Sequence, residues 1–398
     1  MSAANLLVIG TKADDKRLLD RCGRLGIRTT LIQRKALVDQ AQIEGADDTL
    51  VLDYTDRALL LPLVRVLHER HRYDAVLSLT EPAILVAALV NDDLGLKGTP
   101  AATVALLRDK GRMRELLRTS GLSPVRARVG CGPDDIRAFM RDVGGPIVVK
   151  PVDGGGSNGV TRLDGPGEIA LALGRLRELG CSTFVAEEFL PGQEVSVEGF
   201  SFDGVHHVVA ITDKATGPNF VELGHSMPSQ LAPAVQAAIV RLVGDFFDLV
   251  GLRNGPSHTE IIVTPDGPRI VESHNRIGGD KINDLVRAAY GVDLAELSFA
   301  WACGLVEPWA RTPEPVGAAA IRFIAPGSGV VKAVQDVEQL ARRDDVVALE
   351  CRVRAGDRLP ALESNYARSG CVAVRAASAT AAVAACERYV RDIVIVGE

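Results

Sequence analysis

The stretch 254–281, NGPSHTEIIVTPDGPRIVESHNRIGGDK, constrains this chain more than any other. Two short apolar segments, Glu260-Ile261-Ile262-Val263 and Pro268-Arg269-Ile270-Val271-Glu272, flank Thr264-Pro265-Asp266-Gly267, whose Pro, Asp and Gly favour a tight reversal. The pattern predicts a β-hairpin. Folding it back sets Glu260, near the start of one strand, opposite Glu272 at the end of the other, with Asn275 just beyond. Carboxylates that close repel unless a cation lies between them, and an oxygen-only ligand set favours Mg²⁺ or Mn²⁺ over zinc. Two solvated strand acids are the alternative. Arg276 and Lys281 follow at once, and Gly278-Gly279 permits close backbone approach, which favours a site.

Composition narrows the function classes. A chain of 398 residues has length for two or three domains with a sizeable core. The net charge of -6 offers no clustered cationic surface for phosphate backbones, so a nucleic-acid partner is not expected. Cysteines at 22, 131, 181, 303, 351, 371 and 386 are scattered and form no CxxC. This argues against a disulfide scaffold or zinc site and fits a reducing cytoplasm. The first ten residues, MSAANLLVIG, read as a strand rather than a signal peptide, and no apolar run of about 18 residues predicts a membrane span.

The opening alternates strands and helices. Leu6 to Gly10 is a buried-type strand, 15–25 has helical spacing of Leu18, Leu19, Cys22 and Leu25, and 29–33 is the next strand. Strand 50–53, helix 57–70 and strand 74–79 continue the series, which predicts a doubly wound parallel-sheet domain over 1–98. No GxGxxG follows Gly10, which excludes a dinucleotide fingerprint. The last strand delivers Thr80-Glu81 to its carboxyl end, where open α/β sheets bind ligands. Glu81 either meets a substrate ammonium or is a helix N-terminal acid favoured by the dipole. A linker over 94–100 leads to a charged helix over 101–120 containing Arg108-Asp109-Lys110.

A second domain is expected from Val125. Helix 134–143 precedes strand 145–151, which carries Lys150 near its end. After it, Gly154, Gly155, Gly156, Ser157, Asn158 and Gly159 form a loop whose backbone N–H groups can wrap phosphate oxygens beside Lys150. No GK[ST] follows, so this is not a Walker loop. Helix 168–179 leads to strand 183–190, with Glu187, Glu188, Phe189 and Leu190, and then to an alternating strand 194–200. A strand end with free backbone groups can read an adenine edge, and a nearby carboxylate can accept from ribose hydroxyls; for Glu187, Glu188 and Glu194 ordinary solvated strand acids are the alternative. Strand 205–213 runs into a polar loop over 214–220, and 221–228, with His225 beside Glu222, shows no packing pattern. Helix 234–250 reads as core, as do Trp301 and Trp309. Helices 284–289 and 294–303 follow the hairpin, then strands 319–324, 329–334 and 346–353, and a closing βαβ-like segment over 371–396.

Taken together, Lys110, Val148-Val149-Lys150-Pro151, the glycine loop, Glu187-Glu188-Phe189-Leu190-Pro191-Gly192 and the trio Glu260, Glu272 and Asn275 resemble an ATP-grasp enzyme over nearly the whole length. Thr80-Glu81, Arg108-Asp109-Lys110, Glu222-Leu223-Gly224-His225, Ser257-His258-Thr259-Glu260 and Glu272 to Asp280 are similar to the bacterial L-amino acid ligases of the bacilysin type, which are carboxylate-amine ligases. The resemblance implies a mixed α/β ATP-grasp architecture: the N-terminal domain, a linker helix over 99–124, a central lid over 125–200 and a catalytic domain with a terminal sub-lobe over 201–398. It implies Lys110 and Lys150 on ATP phosphates under the 153–159 loop, Glu187 to Leu190 at the adenine, Glu194 at the ribose, and Glu260, Glu272 and Asn275 on Mg²⁺ or Mn²⁺. Arg276 would face an acyl phosphate, and Glu81, His225, His258, His274, Gly278, Gly279 and Asp280 would line an amino-acid pocket. His225, His258 and His274 are the candidates to deprotonate an amine.

The expected activity joins a small carboxylate and an amine through an acyl phosphate, releasing ADP and phosphate, with a homodimer as analogy. Where the family often has an apolar or aromatic residue beside the glycine turn, Asp280 and Lys281 suggest a polar or charged substrate. An ATP-grasp carboxylase or purine-pathway ligase and a catalytically silent nucleotide-binding protein are the alternatives.

Overall fold

Leu6, Leu7, Val8 and Ile9 are all buried because the strand that carries them, Asn5–Ile9, is central in a sheet covered on both faces. In a computed structural model describing residues 4–11 and 18–397, that sheet has the strand order Asp48–Val51, Arg28–Gln33, Asn5–Ile9, Ala75–Leu77, all parallel. Helix Leu18–Arg24 is present, while its expected start at 15 lies outside the described residues. An additional short helix, Gln40–Gly45, is capped by Asp39 in a reciprocal capping box. Helix Glu81–Leu94 begins at the carboxyl end of the last parallel strand and puts Glu81 in its first turn.

The helix expected over 101–120 is two helices. Ala101–Arg108 stops and Lys110–Ser120 starts anew because Asp109 leaves helical geometry and its side chain accepts from the Arg112 backbone N–H. Lys110 thereby becomes the first residue of a helix. The segment 99–124 is packed in place: Leu107, Met113 and Leu117 join Phe246, Phe247, Ile261 and Ile270 in one core under the hairpin.

The lid sheet is antiparallel, in the order Ala127–Gly130, Phe184–Glu188, Ile147–Pro151, Thr161–Leu163. Helices Pro133–Val143 and Ile169–Glu178 cover it through Ile136, Phe139, Ala172 and Leu176. An antiparallel sheet of eight strands forms the catalytic body, ordered Gly267–His274, Gly255–Thr264, Gln193–Phe202, Val205–Thr216, Glu222–Met227, Ala318–Ile324, Gly370–Ala376, Val346–Cys351.

Three boundaries differ from expectation. Gln193–Phe202 is a central strand of the large sheet, so a lid domain reaching 200 cuts through it. Strand Val205–Thr216 continues past Asp213 and takes in Lys214, read from sequence as loop, because ionic pairing of the buried amine compensates its burial. The patternless segment 221–228 is strand Glu222–Met227, whose burial on both faces erases alternation. At the end of the chain, Gly370–Ala376 joins the large sheet but Val394–Gly397 pairs with Gly329–Val334 in a small separate one, so the closing segment is no βαβ unit. Trp301 is buried edge-on to Phe202, and Trp309 packs against the same ring. Among the described residues, no helix is long and apolar enough to cross a membrane.

Candidate active site

The hairpin is Gly255–Thr264 and Gly267–His274, and its register pairs Glu260 directly with Glu272. Glu260 sits mid-strand, since pairing with Gln193–Phe202 extends the strand back to Gly255. Lys110, projected from the start of its helix, places Nζ 3.1 Å from Glu272 Oε2 and donates to the Gly154 carbonyl at 2.9 Å. One lysine therefore ties the hairpin acid to the glycine loop.

Lys214 does the same for three other acids. Its buried Nζ lies 2.7 Å from Glu260, 2.8 Å from Glu194 and 2.7 Å from Glu222. Burial pushes Glu260 and Glu272 up, but the charges of Lys214 and Lys110 respectively outweigh it and hold both carboxyls well below the usual range. Glu194, expected at a ribose, pairs with Lys214.

Whether a divalent cation fits is decided by the donors. Glu260 and Glu272 are ionised at neutral pH, and carboxylate oxygens of Glu194, Glu222 and Glu260 lie within 4.8 Å of one another. Asn275 donates its amide to the Asn254 and Pro256 carbonyls at 3.1 and 2.8 Å, which turns its own oxygen away from them. The ionised Glu260 and Glu272 carboxylates, paired in register, with the Asn275 amide oxygen just beyond in sequence, offer oxygen donors that fit a hard cation such as Mg²⁺.

Behind this cluster, Lys150 Nζ is 2.9 Å from Glu187, and Arg114 grips the same carboxylate at 2.7 and 3.0 Å. Burial would raise the Glu187 carboxyl, but Arg114 and Lys150 bring it down to about 2. Its side chain is thus committed inward. Glu188 pairs with Arg126 at 2.8 Å, and Arg162 stacks over Phe189. The glycine loop is docked at several points: Ser157 Oγ donates to the Phe220 carbonyl at 2.9 Å, the Asn365 N–H approaches the Gly156 carbonyl at 3.3 Å, and the loop also contains Gly155 and Asn158. A Cβ on Gly159 would come within 2.7 Å of Leu179.

On the other side of the hairpin, Glu81 is surrounded by cations. Arg276 Nε donates to it at 2.8 Å, Arg108 Nε at 3.1 Å, and His274 Nδ1 lies 3.1 Å away. Burial is overcome chiefly by His274 and Arg276, and the carboxyl is held down at about 2. His258 pairs with fully buried Glu198 at 2.9 Å and approaches Glu260 at 3.6 Å. Burial would lower that imidazole, yet Glu198 pushes it up to about 9. The Gly278-Gly279 turn closes over this pair, and a Cβ on Gly278 would stand 2.9 Å from His258 Nδ1.

Asp280 is not a free charge. Arg368 holds both its oxygens, at 2.7 and 2.8 Å, while stacking on Phe323. Lys281 is likewise paired, with Glu350 at 2.6 Å. His225 lies between Asp280 and Glu222, at 3.7 and 3.9 Å. Sequence analysis missed Lys214, Arg114, Glu198, Asn365 and Arg368. For Lys214 the signal is strand length, since its ten-residue neighbour Gln193–Phe202 invites an equally long partner; for the others no local pattern exists.

Known proteins match this arrangement. Residues 143–284 match the ATP-grasp domain, 19–98 the ATP-grasp N-terminal domain, and 322–398 the L-amino acid ligase C-terminal domain 2. With the fold and the hairpin site described above, the chain belongs to the ATP-grasp superfamily. Within it the chain is related to the L-amino acid ligases: it superimposes on the crystal structure of L-amino acid ligase from Bacillus licheniformis with a TM-score of 0.85 at 25% identity, over 100% of both chains. It is 27% identical over 248 residues to alanine--anticapsin ligase of Bacillus subtilis (strain 168), covering 56% of this chain and 52% of that one. To carnosine synthase 1 of Mus musculus it is 30% identical over 283 residues, 64% of this chain and 33% of that protein. The chain therefore spans about half the length of the first of these relatives and a third of the second.

Proposed function

We propose that this protein is an ATP-dependent carboxylate-amine ligase that joins an amino acid to a second small molecule in amide linkage, releasing ADP and phosphate. The observation that carries the proposal is the Glu260–Glu272 pair bridged through Lys110 to the glycine loop. A carboxylate and a γ-phosphate are both anions, so bringing them together requires cations along the line of transfer. Lys110 and Lys150 would supply them at the phosphates, and Arg276 at the acyl end. Mg²⁺ held by Glu260, Glu272 and Asn275 would neutralise phosphate charge when bound.

The remaining work is positioning. The substrate carboxylate oxygen attacks the γ-phosphorus and ADP leaves; the amine then attacks the acyl carbon and phosphate leaves. No protein nucleophile enters this sequence. The backbone from Glu187 to Leu190 is suited to an adenine edge, and the Gly278-Gly279 turn beside Arg276 to a substrate carboxylate. With Asp280 and Glu81 each neutralised by arginine, a small zwitterionic amino acid suits the pocket better than one with a charged side chain.

The test is a phosphate-release screen of amino-acid pairs with mass detection of the product. The expected result is ADP formation that needs both partners and an amide of the summed mass less water. Glu272→Ala and Arg276→Ala should abolish it with the fold intact; wild-type turnover in either variant would overturn the proposal.

A further inference from the structure

The terminal sub-lobe carries a pocket of about 380 Å³ that takes no part in the chemistry proposed above. It lies between the 352–360 loop and the 366–369 segment, and it is large enough for a small organic molecule. Backbone bonding fixes its walls. Leu359 and Arg358 pair in antiparallel register with Gly329 and Val330, the Val331 N–H donates to the Asp357 carbonyl at 2.9 Å, and the Arg352 N–H donates to the Ser369 carbonyl at 2.8 Å. The pocket is therefore preformed.

Its lining combines charge with apolar surface. Val353, Leu359 and Pro360 supply aliphatic wall, and Tyr366, 73% exposed, adds an aromatic surface. The guanidiniums of Arg352 and Arg358 bring positive charge that is poorly answered. Arg358 has no side-chain hydrogen bond or ion pair among the described residues. Arg352 reaches Glu350 at 3.6 Å, and that carboxylate is already held by Lys281 at 2.6 Å. The lining acid, Asp357, is turned to its own loop: it accepts from the Arg354 N–H at 3.0 Å and faces the Arg354 guanidinium at 3.8 Å. Arg368, which also lines the pocket, is spent on Asp280.

This combination defines a class of ligand. A carboxylate meets a guanidinium through two parallel N–H···O bonds, and an apolar body is drawn out of water onto aliphatic and aromatic walls. An inorganic anion would use the arginines alone, and an uncharged molecule would leave them unanswered. We propose that this pocket binds a small organic acid, a carboxylate on an apolar body, at a site outside the amino-acid pocket of the glycine turn.

The two pockets share a wall. Arg368 lines the new pocket and holds Asp280 of the turn, while Tyr366 lines it and lies against the glycine loop, where a Cβ on Gly156 would stand 3.3 Å from its ring. An acid seated there touches residues that hold both the turn and the loop, so its presence is felt at the reaction site.

Binding is tested by calorimetry on the full chain with hydrocinnamate, its neutral amide and inorganic phosphate as probes. The acid should bind about tenfold more tightly than the amide, the worth of one charge-assisted hydrogen bond, and more tightly than phosphate. Arg352→Gln and Arg358→Gln, both changes of exposed side chains, should each remove most of that preference and leave the amide unaffected. Tyr366→Ala should weaken acid and amide together. Equal affinity for acid and amide, phosphate binding as tightly as the acid, or acid binding untouched by both arginine changes would each overturn the proposal.

The source of the acid is read from turnover, and this half of the test rests on the ligase proposal. Inhibition by hydrocinnamate that is overcome by raising the amino-acid pool would make the pocket the seat of the amine substrate's own carboxylate. A change that persists at a saturating pool would make it the site of a separate effector; both outcomes support the site. Bound hydrocinnamate without effect on turnover would overturn the link through Arg368 and Tyr366. Absence of any ADP formation in the wild type would instead sink the ligase proposal and leave the binding result standing.

Discussion

At the scale of single residues, the site is a set of buried charges whose pairing decides what each can do. Glu187 illustrates the consequence for stability. Its carboxyl is held at about 2 when folded, against an ordinary 4.5, so the unfolded chain binds the proton more readily. The resulting stabilisation is fully present above pH 4.5 and is lost as pH falls through about 2; it is worth about 3 kcal/mol. Denaturant titrations across that range should show this loss in the wild type and a flatter profile in Glu187→Gln. Lys214 gives a second prediction, because its removal leaves Glu194, Glu222 and Glu260 facing one another without their shared cation. Lys214→Met should destabilise by about 3–5 kcal/mol, and Mg²⁺ should raise the melting temperature of the variant more than that of the wild type. Equal Mg²⁺ responses would show that the acidic cage holds no divalent ion.

At the scale of elements, close approach between strands is what places the carboxylates. Gly192 enters the strand Gln193–Phe202 with φ +156, and a Cβ there would sit 2.1 Å from the Val263 carbonyl oxygen on the hairpin. Gly144 also has positive φ, at +70, but nothing lies within 4 Å of its Cβ direction. Gly144→Ala should therefore cost about 1 kcal/mol of backbone strain alone. Gly192→Ala should cost distinctly more, about 2 kcal/mol or above, and displace Glu194 and Glu260 together. Thermal unfolding compares the two variants, and similar losses would mean that the strand entry is less tightly packed than described. The hairpin itself was legible in the sequence, since a Pro-Asp-Gly turn between two short apolar runs sets the register. The strand holding His225 was not, because burial on both faces removes the period-two pattern by which strands are read.

At the scale of the molecule, the 365–368 segment joins parts that are remote in sequence. Asn365 meets the glycine loop through its backbone and exchanges two hydrogen bonds of 2.9 Å with Glu222, while Arg368 holds Asp280. Asn365→Ala should raise the amino-acid KM by roughly tenfold, the cost of a hydrogen bond to a charged group, and change the ATP KM less. A shift confined to ATP would place the segment with the lid instead of the pocket. Alternating elements, the glycine loop and the facing acids Glu260 and Glu272 were determined by the sequence itself, because each rests on spacing within a few tens of residues. Which cation answers which acid was decided only by the tertiary structure. Lys214 reaches across three strands, Arg114 meets Glu187 from 73 residues away, and Arg368 meets Asp280 from 88. Such pairings depend on where buried side chains must find partners to offset desolvation, and nothing local in the chain encodes that.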